Sequence, residues 1–205
     1  ALEDLSAFDS KSFDLVISFD APISYTYPHQ EQVIQELVRL AGKRIIISVS
    51  SRMGYLPYLA NPLQKNHFIL DENCGDSWVR WCVANKDNAV KSFSFDEKAA
   101  EKLLAEGLMG GEKEIAEYEQ GGAPWCITYT FMPDELRDIL SRSGVKNIEL
   151  AGPGAYARTI PNELLVKIMK DPKQRSDFLD FCYRYDTNEF VCGMGKDNLL
   201  AKGEL

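Results

Sequence analysis

Histidine is nearly absent from this chain: His29 and His67 are its only two in 205 residues, and the five cysteines (Cys74, Cys82, Cys126, Cys182 and Cys192) never fall as CxxC. A structural zinc site draws its ligands from closely spaced Cys and His, so this spacing excludes one and no metal is expected. An odd cysteine count in a chain of this length also speaks against a disulfide framework. The thiols are expected to be reduced and to act as small hydrophobes, which suggests a cytoplasmic protein. No apolar run approaches the ~20 residues of a membrane span, and no signal peptide is visible, so no membrane partner is expected. Cations are short as well: Lys+Arg 23 against Asp+Glu 31 gives a net charge of −8. Nucleic-acid binding needs a cationic surface to displace counterions, and none is expected here. Glycine is missing where a phosphate cradle would need it. Gly110-Gly111, Gly121-Gly122 and Gly152-Pro153-Gly154 come late and follow no buried strand that leads into a helix.

What remains is ordinary globular material, 45% hydrophobic and 26% charged, enough for one domain or one with a large insertion. Phe13 to Phe19 is a β-prone apolar run of the kind buried on both faces of a parallel sheet. Pro22 ends it, because proline cannot donate to a ladder. From Gln30 to Ala41 the period turns helical, with Val33, Ile34, Leu37, Val38 and Ala41 on one stripe. Gly42 stands where a helix C-cap wants positive φ, and Ile45 to Val49 reads as a second buried strand. Strand, helix and strand in this order predict a parallel βαβ unit with a right-handed crossover.

The same grammar returns late. Pro133 opens a helix with Asp134 and Glu135 in its first turn, Leu136, Ile139 and Leu140 form its apolar face, and Gly144 closes it. Residues 145–150 alternate as a half-exposed strand, 161–185 read as helix broken near Pro172, and 198–201 as a terminal strand. Between the second strand and the Pro133 helix the connection far exceeds the usual two to six residues. Helical patterns at 55–65, 77–85 and 97–119 and an aromatic extended run at 125–131 fill it. An insertion over the carboxyl ends of parallel strands commonly forms a lid or binding cap.

SFDLVISFDAPISY, QEQVIQELVRLAGKRIIISVSSRMG, TYTFMPDELRDILSRSGVKNIELAG and the terminal NLLAKGE together resemble class I S-adenosylmethionine-dependent methyltransferases of the small-molecule type. The resemblance covers 1–50 and 128–205 and leaves 51–127 unmatched. It implies an α/β fold with a Rossmann-like, mostly parallel sheet, the carboxyl-terminal part of a seven-stranded methyltransferase core, whose last hairpin sets one antiparallel strand near an edge. Residues 1–50 and 128–205 would form that core and 51–127 an acceptor-binding cap. The glycine-rich loop and ribose-binding acid that precede this point in the family have no counterpart here. Either an amino-terminal half completes the sheet, or another chain does, or the Phe13 strand pairs with itself in a homodimer, since an open apolar edge is avoided.

By this resemblance the cofactor is S-adenosyl-L-methionine. Leu2 and Glu3, within a stretch like the family's adenine-binding loop, would contact the adenine, with a solvated acidic loop as the bland alternative. Phe19, Asp20 and Ala21, at the carboxyl end of the first strand, would line the methionine portion; ligands gather at that end of open α/β sheets. Tyr25 and His29, with Ser24 beside them, are the candidates to orient a small-molecule acceptor or take its proton, although His29 equally suits a helix cap. Tyr27, Arg52, Tyr55 and Tyr58 are candidates for acceptor binding or for packing a lid. Trp78, Trp81, Trp125 and Tyr129 are expected in the insertion's core, and His67 has no assignment. A non-catalytic methyltransferase-like subunit acting in a complex or homodimer is the competing reading.

Overall fold

The computed structural model describes residues 2, 4–60, 97–109, 127–195 and 197–205. Its strands are β1 (Phe13–Ser18), β2 (Ala41–Ser51), β3 (Leu108–Met109), β4 (Thr128–Phe131), β5 (Lys146–Ala151) and β6 (Asn198–Glu204). The helices are α1 (Gln30–Leu40), α2 (Arg52–Ala60), α3 (Glu97–Glu106), α4 (Pro133–Arg142), α5 (Asn162–Lys170) and α6 (Pro172–Asp186). The expected patterns at 61–65, 77–85, 110–119 and 125–126, together with Glu3, His67, Trp78, Trp81 and Trp125, lie outside the described residues, as does the side chain of Tyr58.

β1 and β2 run parallel, with Ile17 against Ile46 and Ser18 against Ile47. The helix between them makes this the βαβ unit that the periodicity predicts. β6 lies antiparallel to β2, from Arg44 opposite Glu204 to Ser50 opposite Asn198, and β5 is antiparallel to β6. β4 joins the far end of β2 in parallel at Ser50 and Ser51, and β3 pairs antiparallel with β4. The result is a mixed α/β fold with a curled, partly parallel sheet. "Mostly parallel" is therefore corrected: β6 sits between β2 and β5 and makes both of those ladders antiparallel.

One face of the sheet carries the core. Val33, Ile34, Leu37 and Val38 of α1 meet Val16, Ile45, Ile47 and Val49 of the strands and Leu136, Ile139 and Leu140 of α4. Each such side chain contributes about 1.5–3 kcal/mol when fully buried. Arg142 of α4 reaches Glu31 of α1 at 2.9 Å, but both ends are about half exposed, so this pair adds little.

Gly42 corrects the cap assignment. α1 ends at Ala41 in extended conformation (φ −78°, ψ 130°), and the chain passes directly into β2 with Gly42 inside the strand. A Cβ there would touch the carbonyls of Lys11 and Phe13 at 3.4 Å; the close approach of the chain entering β1, not positive φ, suits glycine. Gly144 does take positive φ, +95°, and α5 and α6 meet at Asp171, whose carboxylate accepts from the Gln174 amide at 2.8 Å. Cys182 and Cys192 are free and buried, and burial raises both thiol pKa values. No helix among the described residues is long and apolar enough to cross a membrane.

Candidate functional site

The carboxyl ends of β1 and β2 open at the same end of the sheet, and the segment leaving β1 is fastened across them. Asp20 and Ala21 both take left-handed backbone, φ 70° and 53°, a conformation that costs a non-glycine residue about 1–2 kcal/mol. Two buried serines of β2 hold it. The Ala21 amide donates to Ser48 Oγ at 3.1 Å, and the Ser50 amide donates to Ser24 Oγ at 2.8 Å. Ile23 between them is fully buried. Strain kept in place by surrounding bonds is a feature of ligand sites.

Two further hydroxyls there lack partners. Ser18 Oγ at the end of β1 and Ser50 Oγ at the end of β2 are buried without a hydrogen bond, and a buried orphan polar atom calls for a ligand or a water. The phenol of Tyr55 faces the Ser50 hydroxyl, a contact that lowers its pKa. Burial raises the Tyr55 pKa first, and the charge of Asp197 and the nearby Tyr25 and Asp20 add to it. Asp197 is placed by its carbonyl, which accepts the Ser51 amide at 3.0 Å. Asp20, Tyr25 and Tyr55, all singled out from sequence, thus meet at one mouth.

A second cluster forms its wall. Tyr27 stacks on Tyr129 of β4, with ring centroids 6.1 Å apart and planes 7° from parallel. Arg52, the first residue of α2, lies 5.8 Å from the Tyr129 ring centroid. It donates to the Thr130 carbonyl at 2.9 Å and pairs with Glu135 at 3.0 Å. Glu135 also accepts from the Tyr129 hydroxyl and, at 3.3 Å, from the Met132 amide. The described bonds of Arg52 are all internal, so its charge is largely spent on joining α2, β4 and α4. Tyr129, expected in the insertion's core, instead stands against Tyr27 at the mouth. Glu135, Ser48 and Asp197 were missed as site residues; Glu135 showed only as a first-turn acid, and nothing local linked it to Arg52.

Other candidates sit apart. Leu2 is half-buried and packs against the hydrophobic core. His29 is exposed at the N-cap position of α1, and its side chain makes no capping bond. A cleft of about 770 Å³ lies between the start of α4 and residues 189–194, lined by Met53, Met132, Phe190 and Met194 among others; it includes none of the candidate cofactor, acceptor or catalytic residues.

The tyrosines yield a pH prediction. Burial, and then the bond to Glu135, pushes Tyr129 up to about 12, and Tyr55 is raised too. A phenol held neutral in the folded state stabilises it fully below the ordinary tyrosine value near 10, and that contribution fades as pH climbs toward the folded value. Stability to urea is therefore expected to fall between pH 10 and 12, less steeply in Tyr129→Phe. In an absorbance titration of the folded protein, Tyr55 and Tyr129 should ionise late. A single transition near pH 10 for every tyrosine would contradict this.

No family model matches the chain, and no curated protein matches it. A solved structure with a weak likeness is phosphoethanolamine N-methyltransferase 2 of Haemonchus contortus, in complex with phosphomonomethylethanolamine and S-adenosylhomocysteine. Its TM-score is 0.35 at 10% identity, over 96% of this chain and 34% of that one. The chain thus spans about a third of that protein's length.

Proposed function

We propose that the crevice at the ends of β1 and β2 serves S-adenosylmethionine-dependent methyl transfer to a small-molecule acceptor, as the class I resemblance implies. The observation that carries this reading is the strained Asp20–Ala21 turn, pinned by Ser48 and Ser24 beside the orphan hydroxyls of Ser18 and Ser50. It supplies a rigid polar lip at the end of a parallel strand pair, the place where open α/β sheets bind ligands. The strand sequence β1–β2–β6–β5, with β6 antiparallel, also supports it.

The residues present suit the methionine end of the cofactor, through Phe19, Asp20, Ala21 and the two hydroxyls. The cofactor would bring the sulfonium methyl, so the protein's part is alignment and exclusion of water. Tyr27 and Tyr129 wall the acceptor side, Tyr55 closes it from α2, and Tyr25 orients the acceptor. A second reading, a methyltransferase-like subunit without catalysis of its own, is favoured by the bare outer side of β1. Phe13, Leu15, Ile17 and Phe19 there are 42–55% exposed.

Amide chemical shifts under titration with S-adenosylhomocysteine test the first reading, because they register even millimolar binding. Shifts are expected at Phe19, Asp20, Ala21, Ser24 and Ser50, with affinity about tenfold weaker in Ser24→Ala, the loss of one buried hydrogen bond. No shifts at millimolar ligand, or shifts only elsewhere, would overturn it.

A further inference from the structure

The sheet face opposite α1 and α4 changes character strand by strand. Ladder register places Ile17, Ile46, Lys202 and Glu149 in one row across β1, β2, β6 and β5, and Leu15, Arg44, Glu204 and Lys146 in the next. Lys202 and Glu149 pair at 3.0 Å, both more than half exposed. Beyond β1 these two rows are mostly charged, and the apolar Ile46 of β2 and Leu200 of β6 on this face are half-buried. Among the described residues of these four strands, β1 carries the exposed apolar stripe, while Val16 and Ser18, on the other side of the strand, are buried. Phe8, also exposed, extends the stripe edge-on against Phe13 with centroids 5.7 Å apart.

We propose that this stripe packs on the same stripe of a second copy of the chain, about a twofold axis. It deepens the second reading above and names that subunit's partner. Three features of the strand select a copy of itself. Along the bare side the order is aromatic, aliphatic, aliphatic, aromatic, which reads the same in both directions. Antiparallel stripes therefore meet like with like, Phe13 over Phe19 and Leu15 over Ile17 of the partner, as an isologous contact requires. The ends complement each other in charge, since Lys11 at the amino end comes against Asp20 at the partner's carboxyl end. The area also suffices. Four half-exposed large side chains with Phe8 amount to on the order of 400 Å² of apolar surface, the size of a functional patch. A standard interface buries about 800 Å² per partner, a little over half of it apolar, so the stripe supplies that apolar share, with Arg44 and Lys202 on the polar rim.

Sedimentation velocity of the full chain between 1 and 200 μM is the test. A monomer–dimer equilibrium is expected, at least a hundredfold weaker in Ile17→Lys. Ile17→Thr, which keeps the β-branched shape, separates lost association from lost folding and is expected to weaken the dimer about tenfold with an unchanged melting temperature. A photo-crosslinking phenylalanine analogue at position 13 is expected to label the partner's Phe19 peptide. A monomer at 200 μM, a dimer indifferent to both Ile17 substitutions, or labels confined to other peptides would overturn the proposal. A dimer that shows no S-adenosylhomocysteine shifts supports it while removing the methyl-transfer reading; a monomer that shows them does the reverse.

Discussion

Gly152→Ala is expected to cost about 3 kcal/mol or more, as overpacking against backbone does at the severe end of its range. A Cβ at 152 would fall on the Cys192 carbonyl and, at 2.7 Å, on the Gly195 amide nitrogen. Those atoms belong to main chain that cannot rotate away as a side chain would. Gly152 donates to the Asp186 carbonyl at 2.8 Å, so it is also held from the side of α6. The 3-10 turn it crosses, Cys192–Met194, is tied in turn to β2 by Ser51 Oγ, which donates to the Gly193 carbonyl at 2.5 Å. Pushing the two chains apart disturbs the end of β5, the seat of Asp197 and the mouth together. Gly144→Ala is the control: nothing lies within 4 Å of its Cβ position and only its φ of +95° opposes a side chain, for about 1–2 kcal/mol. Thermal denaturation decides. At 2–4 °C per kcal/mol for a chain of this size, the first variant should melt roughly 6–12 °C low. Equal losses would mean that the backbone crossing tolerates a methyl group.

Arg52→Met is expected to cost about 3 kcal/mol, and Arg52→Met with Glu135→Leu markedly less than the sum of the two single changes. The Arg52 and Glu135 side chains are 10% and 28% exposed, so removing the cation leaves a carboxylate that water reaches only in part, the costly half of breaking a buried pair. Glu135 keeps its bonds from Tyr129 and Met132, which limits the loss. Removing both charges takes away the uncompensated one as well, so a double-mutant cycle by thermal denaturation should give a coupling of 1 kcal/mol or more. Additive losses would mean that the guanidinium acts mainly through the Thr130 carbonyl.

Local pattern carried far in this chain. The stripe of Val33, Ile34, Leu37 and Val38 marked α1 and the face it buries, Gly144 and Pro172 marked a helix end and a break, and the order of elements made β1 and β2 parallel neighbours. Wherever the deciding contact came from far along the chain, the pattern was silent. Gly42 resembles a cap until the segment near Lys11 and Phe13 comes close, and Tyr129 resembles insertion core until Tyr27 stacks on it. Arg52 resembles an acceptor's counter-ion until Glu135, eighty-three residues on, takes its charge.

By itself, then, the sequence marked α1, α4, β1 and β2 and the apolar side of each, because hydrophobic period and turn chemistry act within a few residues; the helix expected over 97–119 instead ends at Glu106, where Gly107 turns at φ +72° into the strand Leu108–Met109. Tertiary structure alone decided how those sides are used. It set the antiparallel insertion of β6, the convergence of Asp20, Tyr25 and Tyr55, and the exposed apolar stripe of β1 beside the charged rows of β6 and β5. These depend on ladder register and on charges meeting across long stretches of chain, which no local period encodes.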